Sequence, residues 1–246
     1  MEVVLTIAGS DSSAGAGIQQ DLKTITAHGC YGATVITSIT SQNTLGVQAA
    51  LAVPAGAVAS QISAVLSDLE PAAIKIGMIP NKAVAEAIVD ELKPYLLQHR
   101  VPVVYDPVMV STSGFDLMQP DAIQYITTQL FPLCTLITPN LPEAKRLGDS
   151  LSHNAYLLKG GHAEGDVMTD VLHLPDGTQT EYSTPRITTR NLHGTGCTLS
   201  SAIASQLALG CNLQEAVSRA KAFVTAAIRR SVNISIGHKN GPLLLD

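Results

Sequence analysis

Six short apolar runs, at residues 3–8, 33–40, 73–76, 101–105, 135–138 and 155–158, recur along the chain. Most are nearly all apolar, as strands covered on both faces must be. Between them the hydrophobic spacing lengthens to that of a helix. Val58, Ile62, Val65, Leu66 and Leu69 form one stripe. Leu213, Ala216, Val217, Ala220, Val224, Ala227 and Ile228 form another, on what reads as the longest helix. Residues 83–97 give a third, which Pro94 is expected to stop because its ring removes a helix N–H. Alternation of this kind predicts an α/β protein with a mostly parallel central sheet and helices on both faces. Two further runs, 171–174 and 180–183, flank Asp176-Gly177 and predict a hairpin. No linker, repeat or low-complexity segment intervenes, so residues 1–246 read as a single domain.

Ligands of such folds bind beyond the carboxyl ends of the strands. Each of the six main runs is followed by a polar or Gly-rich segment. In order these are Gly9 to Gly17, Ser41-Gln42-Asn43-Thr44, Gly77-Met78, Asp106-Pro107-Val108-Met109, Pro139-Asn140-Leu141-Pro142-Glu143 and Lys159-Gly160-Gly161-His162. Six such loops at one edge describe a site.

Composition narrows the class of ligand. Hydrophobic residues make up 46% and charged residues 14%, which excludes disorder and implies a well-buried core. The net charge is −5, and no Lys/Arg cluster interleaved with aromatics is present, so nucleic acid is not the expected partner. An acidic chain that handles phosphate must do so locally, with a few lysines, loops and metal ions. The four cysteines, Cys30, Cys134, Cys197 and Cys211, show neither C-x-x-C nor zinc spacing. The chain enters an apolar run at Val3, so no leader is expected, and no run approaches the ~20 residues of a membrane helix. A reduced, cytoplasmic protein is the expectation.

Chemistry concentrates in Asn191-Leu192-His193-Gly194-Thr195-Gly196-Cys197-Thr198, which leads into helix formers. A Gly-rich turn opening a helix leaves backbone N–H groups aimed at one spot, and the helix dipole makes that spot suit a phosphate or oxyanion. A helix start with Thr195 as N-cap would produce the same local sequence. Its company favours the anion site: Asp106, Asn140 and Glu143 offer oxygen ligands for Mg²⁺, and Lys159 can meet a phosphate as a point charge. Together these are the parts of phosphoryl transfer. Cys197 sits in the first turn, where a thiol pKa should fall. There is no G-x-x-x-x-G-K-[ST], and Gly15-x-Gly17 does not complete a dinucleotide fingerprint. Gln42 can donate and accept at once, which suits a heterocycle edge. Met78 alone reads as core rather than ligand contact, and His162 and His193 read as loop hydrogen-bonders, not metal ligands.

These motifs resemble the hydroxymethylpyrimidine/phosphomethylpyrimidine kinases of the ribokinase-like superfamily, nearly end to end. The matching stretches include Thr6 to Ser13, Gly15 to Thr24, Gln42-Asn43-Thr44, Lys75 to Met78, Asp106 to Met109, Leu136 to Ala144, Lys159 to His162, His193 to Ser200 and Gly241-Pro242-Leu243. The resemblance implies a ribokinase-like three-layer α/β/α fold. It also implies an ATP- and Mg²⁺-dependent enzyme of thiamine biosynthesis, which phosphorylates an aminopyrimidine alcohol and then its monophosphate. By the same carry-over, Gln42 reads the pyrimidine edge, and Gly9, Asp21, Met78 and Val108 shape its pocket. Asn140, Glu143 and Asp106 organise Mg-ATP, with Asp106 and Glu143 on the metal. Lys159 lies near the phosphates, and Gly194, Thr195, Gly196 and Cys197 form the anion hole. Relatives are often dimers, and the apolar composition permits a homodimer. Cys197 stands where many superfamily kinases carry an Asp base, so it acts either as a thiolate base or through its backbone N–H. The chain is also shorter than the family pattern between Glu143 and Lys159. The alternatives are a pyridoxal/pyridoxine kinase, which a Met in place of Gln42 would favour, and a non-catalytic pyrimidine-binding regulator.

Overall fold

A computed structural model describes residues 1–111, 113–160 and 165–245. Nine strands form one sheet: β1 (Val3–Asp11), β2 (Tyr31–Asn43), β3 (Gly46–Ala52), β4 (Ala73–Ile76), β5 (Val103–Tyr105), β6 (Leu136–Ile137), β7 (Tyr156–Leu158), β8 (Val167–His173) and β9 (Gln179–Pro185). Their spatial order is β3-β2-β1-β4-β5-β6-β7-β8-β9. The central pairings from β2 to β7 are parallel, and β3, β8 and β9 join antiparallel at the two edges. Among the described residues the α-helices are α1 (Gly17–Ala27), α2 (Ala55–Leu66), α3 (Lys82–Gln98), α4 (Pro120–Tyr125), α5 (Leu141–Leu147), α6 (Thr195–Ala208) and α7 (Leu213–Ser231).

Strand alternation sorts the helices into two layers. Leu5, Ile7, Ile74, Ile76, Val103 and Tyr105 point to one face and pack with Val58 and Ile62 of α2 and with Val84, Ile88 and Leu92 of α3. Val4, Ala73, Val104 and Leu136 point to the other, against Ile25 of α1, Ile203 of α6 and Val217 of α7. This is the three-layer α/β/α fold that the family resemblance implies. The 171–174 and 180–183 runs form the β8–β9 hairpin around Asp176-Gly177.

Three local expectations are corrected. Helix α3 does not stop at Pro94 but runs to Gln98. Pro94 lies on the solvent side, where water can meet the carbonyl it leaves unbonded, and Leu96 still packs on the core beyond it. Residues Gly9 to Asp11 belong to β1, and Ser41 to Asn43 belong to β2, rather than to loops. Strand β3 is an element that the hydrophobic pattern misses, because most of its residues are exposed and carry no alternation.

Candidate active site

The segments following β1, β2, β4, β5, β6 and β7 converge with the start of α6 around a cavity of about 270 Å³ at the carboxyl ends of the parallel strands. Two irregularities aim side chains into it: the register of β1 against β2 shifts at Ala8/Gly9, and that of β2 against β3 shifts at Ser41/Gln42. Of the residues singled out from sequence, Gly9, Gln42, Met78, Asp106, Val108, Asn140, Glu143, Lys159, Gly194, Thr195, Gly196 and Cys197 all line it. His162 lies outside the described residues.

One end of the cavity is built for an anion. Helix α6 starts without a side-chain cap; Gly194, not Thr195, holds the cap position, at φ +84°. Glycine is required there on two counts, because a Cβ would also fall inside the carbonyl oxygen of Gly15. Of the first-turn amides of α6, that of Thr195 donates to Leu192 O at 3.2 Å, which leaves those of Gly196 and Cys197, both residues that line the cavity, as the ones with no helical carbonyl one turn back. A Cβ on Gly196 would stand 3.2 Å from Asp106 Oδ2 and 3.5 Å from Lys159 Nζ, so the turn lies directly beside these charges.

Lys159 Nζ lies 2.6 Å from Asp106 Oδ1, which also accepts from Thr138 Oγ1 at 3.2 Å. Burial works against the Lys159 ammonium, but the Asp106 and Glu143 carboxylates outweigh it and raise its pKa. Glu143 and Asn140 form a capping box at the start of α5: Asn140 N–H donates to Glu143 Oε2 at 2.8 Å, and Glu143 N–H donates to Asn140 Oδ1 at 2.9 Å. Burial, reinforced by Asp106 and opposed by Lys159, pushes the Glu143 carboxyl up to about 7. A carboxyl raised in part by a neighbouring carboxylate is a place where a cation would relieve the repulsion. Among the described residues no three His, Cys, Asp or Glu side chains converge as a metal cage. By its donor chemistry the oxygen-only set of Asp106, Glu143 and Asn140 fits Mg²⁺, which keeps waters and phosphate oxygens as its other ligands.

The thiol of Cys197 departs from expectation. Burial raises its pKa to about 11, with the nearby Lys75 ammonium only partly offsetting that rise. The helix terminus does not win because desolvation of the half-buried thiol dominates and the nearby Asp21 and Asp106 carboxylates disfavour a third negative charge. The residue is a thiol at neutral pH.

Also on the cavity wall, Gln42 Nε2 lies 3.1 Å from His193 Nε2, which is 2.8 Å from Asp11 Oδ2. A Cβ on Gly9 would come within 2.9 Å of Met78 Sδ, so the glycine lets the thioether form that wall.

Asp21 does not line the cavity. It is fully buried beneath it, accepting from Lys75 Nζ at 2.7 Å, Thr6 Oγ1 at 2.6 Å and Ser201 Oγ at 2.8 Å. It thus ties α1, β1, β4 and α6 together under the anion site. Lys75, Asp11 and His193 are the ionisable residues lining the cavity that sequence reasoning did not assign to the site. Lys75 left one signal: a lysine inside the apolar run 73–76 must find a buried partner.

A three-layer α/β/α fold whose strand ends gather an uncapped helix start, a Lys–Asp pair, a second carboxylate and the Gln42 amide has the make-up of a small-molecule kinase of the ribokinase-like class. The family model for phosphomethylpyrimidine kinase matches residues 11–244, and the chain belongs to that family. It is 46% identical to the hydroxymethylpyrimidine/phosphomethylpyrimidine kinase of Rhizobium meliloti, over 98% of this chain and 96% of that one. That alignment spans 259 positions, more than the chain's 246 residues, so the relative carries residues absent here. Among solved structures, the phosphomethylpyrimidine kinase of Clostridium difficile superposes with a TM-score of 0.78 at 41% identity, covering 93% of this chain and 100% of that one. The pyridoxal kinase of Staphylococcus aureus, in complex with AMP-PCP and pyridoxal, gives 0.86 at 30% identity, covering 99% and 93%. As a member of a kinase family the chain uses ATP. Among the described residues no helix is long and apolar enough to cross a membrane.

Proposed function

We propose that this chain transfers the γ-phosphoryl group of ATP to the hydroxymethyl group of 4-amino-5-hydroxymethyl-2-methylpyrimidine, and then a second phosphoryl group to the resulting monophosphate. The observation that carries this reading is that Gln42 and the Gly194–Cys197 turn line one and the same cavity. The amide can pair with a ring nitrogen and its neighbouring amino group together, while the turn receives the phosphoryl group.

Asp106, Glu143 and Asn140 would hold Mg²⁺, which when bound neutralises charge on the phosphate oxygens. Lys159 supplies a fixed cation beside the same oxygens, with Asp106 holding its ammonium in place. The α6 amides stabilise charge on the transferring group through their orientation alone. Cys197 enters through its backbone N–H; its protonated thiol is no base at neutral pH. Little base is needed, because phosphoryl transfer passes through a loose transition state. The second acceptor, a phosphate oxygen, already carries negative charge. One site without a dedicated base therefore serves both steps.

The superposition with a pyridoxal kinase keeps a second reading open: phosphorylation of the hydroxymethyl arm of pyridoxal. Gln42 favours the aminopyrimidine. Measuring kcat/KM for the two alcohols decides between them, and a strong preference for pyridoxal overturns the first.

A further inference from the structure

The polar end of the cavity contains a hydrogen-bonding conflict whose resolution bears on specificity. Asp11 is saturated as an acceptor. Its Oδ1 takes Ser13 N–H and Ser13 Oγ, each at 2.8 Å, and its Oδ2 takes Gly15 N–H at 3.2 Å, Ala16 N–H at 2.9 Å and His193 Nε2 at 2.8 Å. Burial opposes ionisation of Asp11, yet the bonds from His193 and Ser13 outweigh it and lower its pKa. A carboxylate has no hydrogen to give, so the proton between the two side chains sits on His193 Nε2. That nitrogen is then a donor with its one hydrogen committed, and Gln42 Nε2, also a donor, faces it at 3.1 Å.

A second conflict lies on the other side of the same amide. Thr40 Oγ1 has one hydrogen and two acceptors within reach, Ser10 O at 3.0 Å and Gln42 Oε1 at 3.2 Å. A half-turn of the amide, which exchanges its oxygen and nitrogen and leaves its outline unchanged, removes both conflicts at once. The Gln42 oxygen then accepts a share of the His193 Nε2–H, and the Gln42 NH₂ donates to Thr40 Oγ1, which keeps its own hydrogen on Ser10 O.

We infer that the Gln42 carbonyl oxygen is turned toward His193, and that the Asp11–His193 pair acts as a positioning device that fixes which donor–acceptor order the cavity offers to a heterocycle edge. The rest of the structure holds the imidazole hard. His193 is buried, its backbone N–H bonds Gly241 O at 3.1 Å, and its ring lies on Gly15, where any Cβ would displace it. In this arrangement the acceptor of Gln42 lies on the His193 side and its free N–H on the Thr40 side. An amino group beside a ring nitrogen acceptor matches that order. A carbonyl beside a ring N–H reverses it and would require the amide to turn back against both partners.

This specificity rests on the aminopyrimidine reading above, but the amide assignment does not, and two measurements separate them. In the ligand-free full chain, side-chain NMR should show His193 protonated at Nε2 and NOEs from the Gln42 amide protons to the Thr40 methyl. NOEs from those protons to His193 Hε1, without the Thr40 contact, overturn the assignment. In kinetics, wild type should prefer the 4-amino alcohol to its 4-oxo counterpart. His193→Leu, which frees the amide, should reduce that preference by about tenfold or more, chiefly through KM for the amino substrate. His193→Gln, which keeps an N–H donor near the same place, should restore most of it. An unchanged preference in His193→Leu overturns the positioning role. Failure of wild type to phosphorylate either pyrimidine would sink the functional reading, while the NOE pattern would still judge the amide.

Discussion

The Lys75 ammonium lies 2.7 Å from Asp21 Oδ2, and neither side chain reaches solvent. The pair is in register because Thr6 of β1 faces Lys75 of β4, so the hydroxyl and the ammonium meet the same carboxylate oxygen. Removing one partner strands a buried charge. Asp21→Ala should cost about 3–5 kcal/mol in denaturant unfolding, whereas replacing both charges with apolar side chains of similar volume should cost much less. Equal losses for the single and double variants would contradict the pairing.

Gly196 offers a way to separate the anion site from stability. It is the second residue of α6, with no backbone conformation that demands glycine, and a Cβ there meets only Asp106 Oδ2 at 3.2 Å and Lys159 Nζ at 3.5 Å. Gly196→Ala should leave the melting temperature unchanged or slightly raised while kcat falls about a hundredfold, as when an oxyanion donor is blocked. Gly194→Ala should lose both, since its φ and its contact with Gly15 forbid a side chain.

Cys197, with a pKa of about 11, should resist alkylation at neutral pH. Mass spectrometry of the Cys197 peptide after iodoacetamide treatment should show labelling that rises steeply only in strongly alkaline buffer. Cys197→Ala should retain kcat within about tenfold, the scale of a lost packing contact rather than a lost base. Abolished turnover with substrate affinity intact would show that the sulfur, not the backbone, carries the role.

The raised pKa of Glu143 makes a signed prediction for stability. In the folded chain this carboxyl keeps its proton up to about 7, against an ordinary value of 4.5. Between those values the folded state binds the extra proton, so its contribution to stability is full at the acidic end and is lost as pH rises through the window. Glu143→Gln, which stays neutral, should therefore gain stability relative to wild type on going from about pH 5 to pH 8, measured by denaturant unfolding. A variant that gains nothing, or loses stability, relative to wild type over that range would contradict the assigned shift.

Much of this architecture was legible in the sequence. The parallel strands announced themselves because both faces are covered and their runs are almost wholly apolar. The loops at their ends were legible for the complementary reason: Gly9, Asp106, Asn140, Glu143 and Lys159 interrupt those runs with chemistry. Exposed β3 escaped, since an edge strand with few buried side chains carries no period. The Asp11–His193–Gln42 chain also escaped, because residues 151 and 182 positions apart reveal a shared network only once folding joins β1, β2 and the α6 turn. The Cys197 thiol was misjudged for a similar reason. Its position at a helix start is a local fact, whereas its desolvation beside Asp21 and Asp106 comes from distant segments.

The most direct test is a coupled assay of the purified full chain with ATP, Mg²⁺ and either the pyrimidine alcohol or its monophosphate. Both acceptors should be phosphorylated, the first to the monophosphate and the second to the diphosphate, with each activity lost together in Gly196→Ala. Turnover of pyridoxal with neither pyrimidine accepted, or no ATP turnover with any of the three, would contradict the reading.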